Sequence, residues 1–266
     1  MNHELIQNIN IWSPEIIALL VGSGLLIGIV NTLAGSGTAI SYAVFMMLGL
    51  PPAYANGTVR LGVVTQTLAA SFNFYKHHFL ELRKALFIAI PITLGSMAGA
   101  EIAINIDQDV FKIIIGVAMI FMLFFLFYKP EKWIKKKDIQ TRNLWWHAVL
   151  YFAIGTYGGF IHIGVGIFLL SALVLVSGYD LVHANSLKVF IVMVYTPFAL
   201  SIFMINGEIH YAMGLISAIG NTLGGIFASN YAMHHGAKPL RWILMAVLIV
   251  FSAYLFGAFH YIFGIN

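Results

Sequence analysis

Long apolar runs, interrupted by a few polar residues, follow one another along almost the whole chain. We distinguish about ten of them, at residues 15–33, 38–50, 57–75, 84–104, 110–128, 144–161, 166–178, 186–205, 210–233 and 240–263. They lack the strict alternation of a half-buried strand, and most approach the roughly 20 residues with which a helix crosses a bilayer. The pattern predicts an all-α integral membrane protein that is embedded in the lipid bilayer.

The second and seventh segments, 38–50 and 166–178, are too short to cross a bilayer as straight helices. Thirteen residues at 1.5 Å each reach about 20 Å, against a hydrocarbon core of about 30 Å. Each segment follows a glycine pair, in the sequences GSG at 35–37 and GVG at 164–166. We therefore expect broken or re-entrant helices after these glycines.

The second half of the chain repeats the first at one constant offset. The offset of 129 positions (164 − 35) carries Gly35 onto Gly164 and still holds at the TLG sequences of 93–95 and 222–224. A period this long predicts a duplicated half rather than a solenoid. The predicted organisation is a first repeat at 1–128, a basic linker at 129–143 and a second repeat at 144–266.

The basic residues predict how the halves are oriented. Loop 76–84 carries three of them and linker 129–143 six, and two crossings separate the two stretches, so both are expected to be cytoplasmic. The equivalent loop of the second half, 206–208, has no Lys or Arg, and cations return only at Lys238 and Arg241. The halves are thus expected to be inverted, with both termini extracytoplasmic.

The composition and the motifs that are missing from the sequence argue against several classes of function. Hydrophobic residues make up 60% of the chain and charged residues 9%, against roughly 25% charged in soluble domains. The net charge of +4 is explained by the basic loops, so no nucleic-acid partner is expected. No nucleophile–base pair, phosphate-binding loop or metal motif is evident. We expect neither an enzyme nor a bound cofactor or metal.

The two glycine breaks are the first candidate site, because broken helices near the membrane midplane aim free N–H groups at anions. Close packing of small residues is the alternative interpretation. Asn56 and Asn185 follow the short segments and open the next predicted helices, where capping is an equally good explanation.

Arg60 and Lys188 lie about one turn beyond these asparagines. A cation inside a membrane helix costs about 2.5–3.5 kcal/mol on insertion scales, and few acidic residues lie deep enough to pair with either side chain. Two unpaired cations indicate an anionic substrate; snorkelling to an interface is the alternative. The candidate substrate-binding residues are Gly35, Ser36, Gly37, Thr38, Asn56, Thr58, Arg60, Gly164, Gly166, Asn185, Ser186 and Lys188.

Other polar residues within the apolar runs are expected to be structural. Gln66, Asn73 and Asn221 are predicted to form interhelical hydrogen bonds. His162, beside the second break, is expected to bond to the backbone, with a proton-transfer role as the alternative.

At these residues the chain resembles a known family. The stretches NTLAGSGTAISYAVFMMLGLPPAYANGTVRL (31–61), TLGSMAGAEIA (93–103) and TYGGFIHIGVGIFLLSALVLVSGYDLVHANSLKVF (156–190) resemble the TauE/SafE (TSUP) permeases. The resemblance implies transport of small anions, typically sulfite or organosulfonates, across a bacterial inner membrane. It also implies a site around Asn56 to Arg60 and Asn185 to Lys188.

We therefore expect a secondary transporter that exports a small sulfur-containing anion by alternating access around a midplane site between the repeats. Coupling to protons or sodium is left open. The alternative is a carrier or channel for a different small solute, such as a carboxylate, a cation or a neutral metabolite.

Overall fold

The computed structural model describes residues 10–127 and 144–235, and these residues form nine α-helices. The linker 129–143, the last apolar segment 240–263 and both termini lie outside the described residues. The helices are α1 (Pro14–Ala34), α2 (Thr38–Met47), α3 (Pro52–Lys76), α4 (Leu82–Asn105), α5 (Gln108–Phe127), α6 (Leu144–Phe160), α7 (Val165–Leu175), α8 (Leu181–Ile205) and α9 (Tyr211–His235).

The all-helical membrane architecture is confirmed. Within the described ranges, α1, α4, α8 and α9 are each long and apolar enough to cross a bilayer. Helices α2 and α7 contain only 10 and 11 residues, or about 15 Å of helix. Both lie directly after the glycine breaks, where short helices were predicted.

Helices α3 and α8 begin five residues earlier than the apolar pattern predicts. Pro52 occupies the first turn of α3, and Asp180 caps α8 by accepting hydrogen bonds from the amides of Val182 and His183. The prediction that Asn56 and Asn185 open these helices is therefore wrong. Proline at a helix start and aspartate at an N-cap are strong initiation signals, and here they precede the asparagines.

The offset of 129 residues also relates the helix boundaries. Adding it to both ends of α3 gives both ends of α8, and adding it to the start of α4 gives the start of α9. The left-handed glycines Gly35 and Gly49 recur as Gly164 and Gly178. The two halves therefore share the starts of these two helices and two of their turns.

Packing mixes the halves instead of separating them. Helix α1 lies along α9, and α4 lies along α6, so each pair takes one helix from either half. Small residues allow the close approach: a Cβ on Gly95 or Gly99 of α4 would strike backbone atoms of Phe152 or Thr156 on α6. The two pairs flank α3 and α8, which contact each other.

Two equivalent loops lie at opposite ends of α3. Loop 77–81 follows the C-terminal end of this helix. The equivalent loop 206–210 packs near its N-terminal end, where the amide of His210 donates a hydrogen bond to Oγ1 of Thr58 over 2.9 Å. Because α3 has 25 residues, these ends are about 37 Å apart.

Helix α3 is central and polar, whereas α4 and α9 present apolar stripes. Arg60 and Gln66 of α3 are fully buried. Leu86, Ile90 and Leu94 of α4 are exposed at four-residue intervals, as on the lipid-facing side of a membrane helix. The two fully buried cations of the described residues, Arg60 and Lys188, thus lie on α3 and α8.

Candidate functional site

The two glycine breaks touch each other at the centre of the described structure. Gly35 ends α1 in a left-handed conformation with φ 78°, and Gly164 caps α7 with φ 68°. The amide of Gly166 donates a hydrogen bond to the carbonyl of Gly35 over 3.1 Å. A Cβ on Gly35 or Gly166 would strike the backbone of the other, so only glycine fits here.

Side chains of the first half bind the backbone of the second break. The carbonyls of residues 160–162, at and just beyond the end of α6, accept hydrogen bonds from Asn56 at 2.7 Å, Tyr42 at 2.6 Å and Thr38 at 3.0 Å. The last carbonyls of a helix have no partner within it and need one when buried. Asn56 and Thr38 therefore hold the broken backbone of the other half.

Arg60 binds the same helix end and has no exposed surface. Its Nη2 donates hydrogen bonds to the carbonyls of Gly158 and Gly159 and to Oδ1 of Asn56, and its guanidinium lies 4.8 Å from the ring centroid of Phe203. A cation at a helix C-terminus is stabilised by the negative end of the helix dipole. Its Nε and Nη1 have no hydrogen-bond partner among the described residues.

Lys188, in the second half of the chain, forms the corresponding contact with a helix end of the first half. Its side chain is 1% exposed. Its ammonium donates hydrogen bonds to the carbonyls of Thr32 at 2.9 Å and Asn31 at 3.4 Å, in the last turn of α1. Ion pairs in the described structure involve only Lys84 with Glu81 and His183 with Asp180.

The structure excludes the alternative interpretation of these cations and corrects their description as unpaired. Neither Arg60 nor Lys188 snorkels, because both side chains are buried against helix ends. Nor are they wholly unpaired: their partners are carbonyl oxygens, which reduce the local field without cancelling a full charge.

A small cavity lies where the breaks cross. Its volume is about 10 Å³, room for about one water molecule. Lys188 is the one charged residue among the described residues that line it, and no carboxylate lines it. The lining is formed by Asn31, Gly35, Gln66, Thr67, His162, Val165, Gly166, Lys188, Val189 and Val192.

Gln66 orders the wall of this cavity. Its Nε2 donates a hydrogen bond to Oγ1 of Thr32 over 2.8 Å, and its Oε1 accepts one from Nδ2 of Asn31 over 2.9 Å. The predicted interhelical role of Gln66 is thus confirmed. The contacts fix the turn of α1 to which Lys188 is bound.

His162 lies in the cavity wall and has φ 60°, an uncommon conformation for a residue other than glycine. Its Nδ1 is 3.2 Å from the carbonyl of Gly158 and 3.2 Å from the hydroxyl of Tyr195. The expected bond to the backbone is confirmed.

Other candidates lie away from the cavity. Oγ1 of Thr58 accepts a hydrogen bond from the amide of His210, and the hydroxyl of Ser186 donates one to the carbonyl of Phe79 over 2.6 Å. Thr58 therefore binds loop 206–210 to α3, and Ser186 binds loop 77–81 to α8. Gly37 packs on α1. Oγ of Ser36 and Oδ1 of Asn185 are buried without a partner among the described residues.

The structure therefore brings together a subset of the predicted site. Gly35, Gly166 and Lys188 line the cavity, and Arg60, Asn56 and Thr38 support the break beside it. Sequence reasoning missed Asn31, Gln66, Thr67 and His162 as cavity residues. The sequence feature that could have identified them is a polar side chain close to a glycine break or inside an apolar helix.

The two other polar residues in the helices have different outcomes. Asn73 donates to Ser229 on α9 over 2.7 Å, so its predicted interhelical bond is confirmed. Asn221 donates to Ser217 of its own helix, so the interhelical prediction is wrong for its amide.

Chemically, the centre of the described structure is an enclosed site with net positive charge. The cavity offers an ammonium, two carboxamides and a threonine hydroxyl. No group of three or more metal-ligating side chains occurs in the described part of the chain. The arrangement is suited to a small polar solute that carries negative charge.

Comparison with known proteins identifies relatives over nearly the whole chain. A family profile described as "Sulfite exporter TauE/SafE" matches residues 20–255. The chain is 25% identical to "Probable membrane transporter protein ORF9" of Sinorhizobium sp. over 238 residues, covering 90% of this chain and 91% of the relative. It is 24% identical to a "Probable membrane transporter protein" of Haemophilus influenzae over 250 residues, covering 93% and 98%. No solved structure matches the chain.

Proposed function

Because the chain belongs to the sulfite exporter TauE/SafE family of membrane transporters, we propose that it carries a small sulfur-containing anion, such as sulfite or an organosulfonate. The observation that supports this proposal most strongly is the environment of Lys188. A buried ammonium lines the cavity between the two breaks, and among the described residues no carboxylate accompanies it.

The hydrogen bonds of Lys188 leave capacity for a substrate. An ammonium has three N–H donors, and two of them are directed at the carbonyls of Thr32 and Asn31. A third donor can bond an anion in the cavity. Nδ2 of Asn31 supplies a further donor once an anion displaces its hydrogen bond to Oε1 of Gln66.

The size of the cavity supports a carrier. About 10 Å³ admits a water molecule but no sulfur oxyanion, so the helices must separate before a substrate enters. We propose that they separate alternately toward each side, with the halves inverted about the membrane plane in a bacterial inner membrane. The opposite positions of loops 77–81 and 206–210 support that inversion.

Electrostatics favours export. Moving one charge across 100 mV is worth about 2.3 kcal/mol. At an inside-negative potential of that size, the exit of a divalent anion is favoured by about 4.6 kcal/mol. That energy corresponds to roughly a 10³-fold concentration ratio. Export therefore needs no coupling ion, whereas uptake would need one.

The test is transport by purified protein in liposomes, with sulfite, sulfate, a sulfonate and lactate offered in turn, with and without a proton gradient. Saturable sulfite or sulfonate flux that Lys188→Met abolishes is the expected result. Flux of lactate alone would replace the sulfur assignment with a carboxylate. No flux of any of the four by folded protein would contradict the proposal.

A further inference from the structure

We propose that Lys188 and Arg60 are tethered cations: each occupies a backbone cation site at the end of a broken helix, in the place where other secondary transporters bind a coupling ion. In such transporters, unwound carbonyls and the C-terminal ends of half-helices coordinate Na⁺ or accept a proton's charge. In this chain the corresponding carbonyls are bound by side chains.

The geometry at α1 is that of an ammonium in a carbonyl site. Nζ of Lys188 is 2.9 Å from the oxygen of Thr32 and 3.4 Å from that of Asn31, and the side chain is almost fully buried. The carbonyl of Asn31 also accepts the amide of Gly35, which closes the turn at the break. The oxygen atoms thus converge where α1 ends and where its dipole is negative.

The geometry at α6 is the equivalent arrangement with a different cation. Nη2 of Arg60 reaches the carbonyls of Gly158 and Gly159 in the last turn of α6, and the carboxamide of Asn56 accepts from the same nitrogen. The ring of Phe203 covers another side of the Arg60 guanidinium. Both C-terminal ends that meet at the crossing therefore already have a positive charge.

Each tether joins the two halves of the chain. Lys188 belongs to α8 and binds α1, while Arg60 belongs to α3 and binds α6. Arg60 and Lys188 are not equivalent under the offset of 129, which carries Arg60 onto Val189. Two different positions thus supply the same kind of contact, which argues that the contact, rather than the inherited position, is what the site requires.

The consequence for transport is that no sodium ion is needed at either helix end. This consequence rests on the proposed function, because it concerns how the anion is coupled. The tethered charges stay with the protein, and the anion crosses without a cation bound at these carbonyls.

The first experiment measures thermal melting of purified protein and needs no substrate. Lys188→Ala deletes the ammonium and the three methylene groups before it, which n-propylammonium can replace. Propylammonium chloride is expected to raise the melting temperature of Lys188→Ala by about 5 °C or more, relative to choline chloride. It should leave the wild type and Lys188→Met unchanged, because in both the volume is filled, and n-propanol should have little effect on any of them.

Equal stabilisation of Lys188→Ala by propanol and propylammonium would show that only volume matters and would overturn the proposal. So would no effect of propylammonium. If Lys188→Ala does not fold, Lys188→Arg and Lys188→Met decide: Lys188→Arg should melt several degrees above Lys188→Met, and equal melting contradicts a charge requirement.

The second experiment addresses coupling. Sulfite flux by the wild type should change less than 2-fold when choline replaces sodium on both sides, and a 10-fold fall would contradict sodium independence. Absence of flux with every anion would refute the proposed function but leave the melting result, and with it the tethered cation, as measured.

Discussion

The amide of Gly166 donates a hydrogen bond to the carbonyl oxygen of Gly35 over 3.1 Å, so the two helix breaks of this chain meet directly. One residue belongs to each half, and neither has room for a side chain. This contact brings the end of α1, the start of α7 and Lys188 of α8 around one cavity. Its integrity therefore decides whether the site exists.

Replacing Gly166 with alanine tests this contact. Alanine normally stabilises a helix relative to glycine by roughly 0.5–1 kcal/mol. At Gly166 the new methyl group would overlap the backbone of Gly35, so we expect a loss of about 1–3 kcal/mol and loss of flux. Thermal melting and liposome flux are the measurements.

Gly22→Ala is the matched control, because Gly22 lies within helix α1 and a Cβ there meets nothing within 4 Å. It should melt at or above the wild-type temperature with normal flux. If Gly166→Ala behaves like Gly22→Ala, the two breaks do not pack as described.

Arg60→Met should remove the guanidinium hydrogen bonds to the carbonyls of Gly158 and Gly159. Hydrogen bonds to charged groups contribute about 1.5–3 kcal/mol, and we expect a loss of stability of that size. Arg83 is exposed, so Arg83→Met should change stability by less than about 0.5 kcal/mol. Equal melting of the two purified variants would show that the buried contacts of Arg60 contribute nothing.

Gln66→Leu removes the carboxamide that joins Asn31 and Thr32 in the cavity wall while keeping most of its volume. We expect folded protein with flux reduced about 10-fold or more, because one polar group of the site is lost. Asn73→Leu removes an interhelical hydrogen bond to Ser229 outside the cavity and should retain most of the flux. A larger loss of flux in Asn73→Leu than in Gln66→Leu would contradict the placement of the site.

Cysteine labelling tests the inverted arrangement, since the chain has no cysteine. His77 and Asn206 occupy the same position in the two halves and are exposed at opposite ends of the fold. A membrane-impermeant maleimide should label Asn206→Cys in intact cells and His77→Cys only after permeabilisation. Labelling of both from the same side would rule out inversion.

The helices could be predicted from the sequence, because hydropathy alone separates membrane segments from loops. The short helices α2 and α7 could be predicted because glycine pairs precede short apolar runs. The starts of α3 and α8 were predicted five residues late, since Pro52 and Asp180 lie before the apolar pattern begins and initiate the helices there.

The site could be predicted only in part. The burial of Arg60 and Lys188 follows from their surroundings in the sequence, but their partners are carbonyls about 100 and 156 residues away, which no local pattern reveals. Gln66 appeared as an ordinary polar helix residue, and only the fold brings it to the cavity. The close packing of α4 on α6 had a readable signal, the Gly95-x-x-x-Gly99 spacing.

The measurement that tests the account most directly is sulfite efflux from liposomes under an imposed membrane potential, without sodium or a proton gradient. If the positive charges of the site stay with the protein and the anion crosses alone, an inside-negative potential should accelerate efflux and an inside-positive potential should slow it. Efflux that ignores the potential, or that is slowed by an inside-negative one, would mean that a cation moves with the anion and would contradict the account.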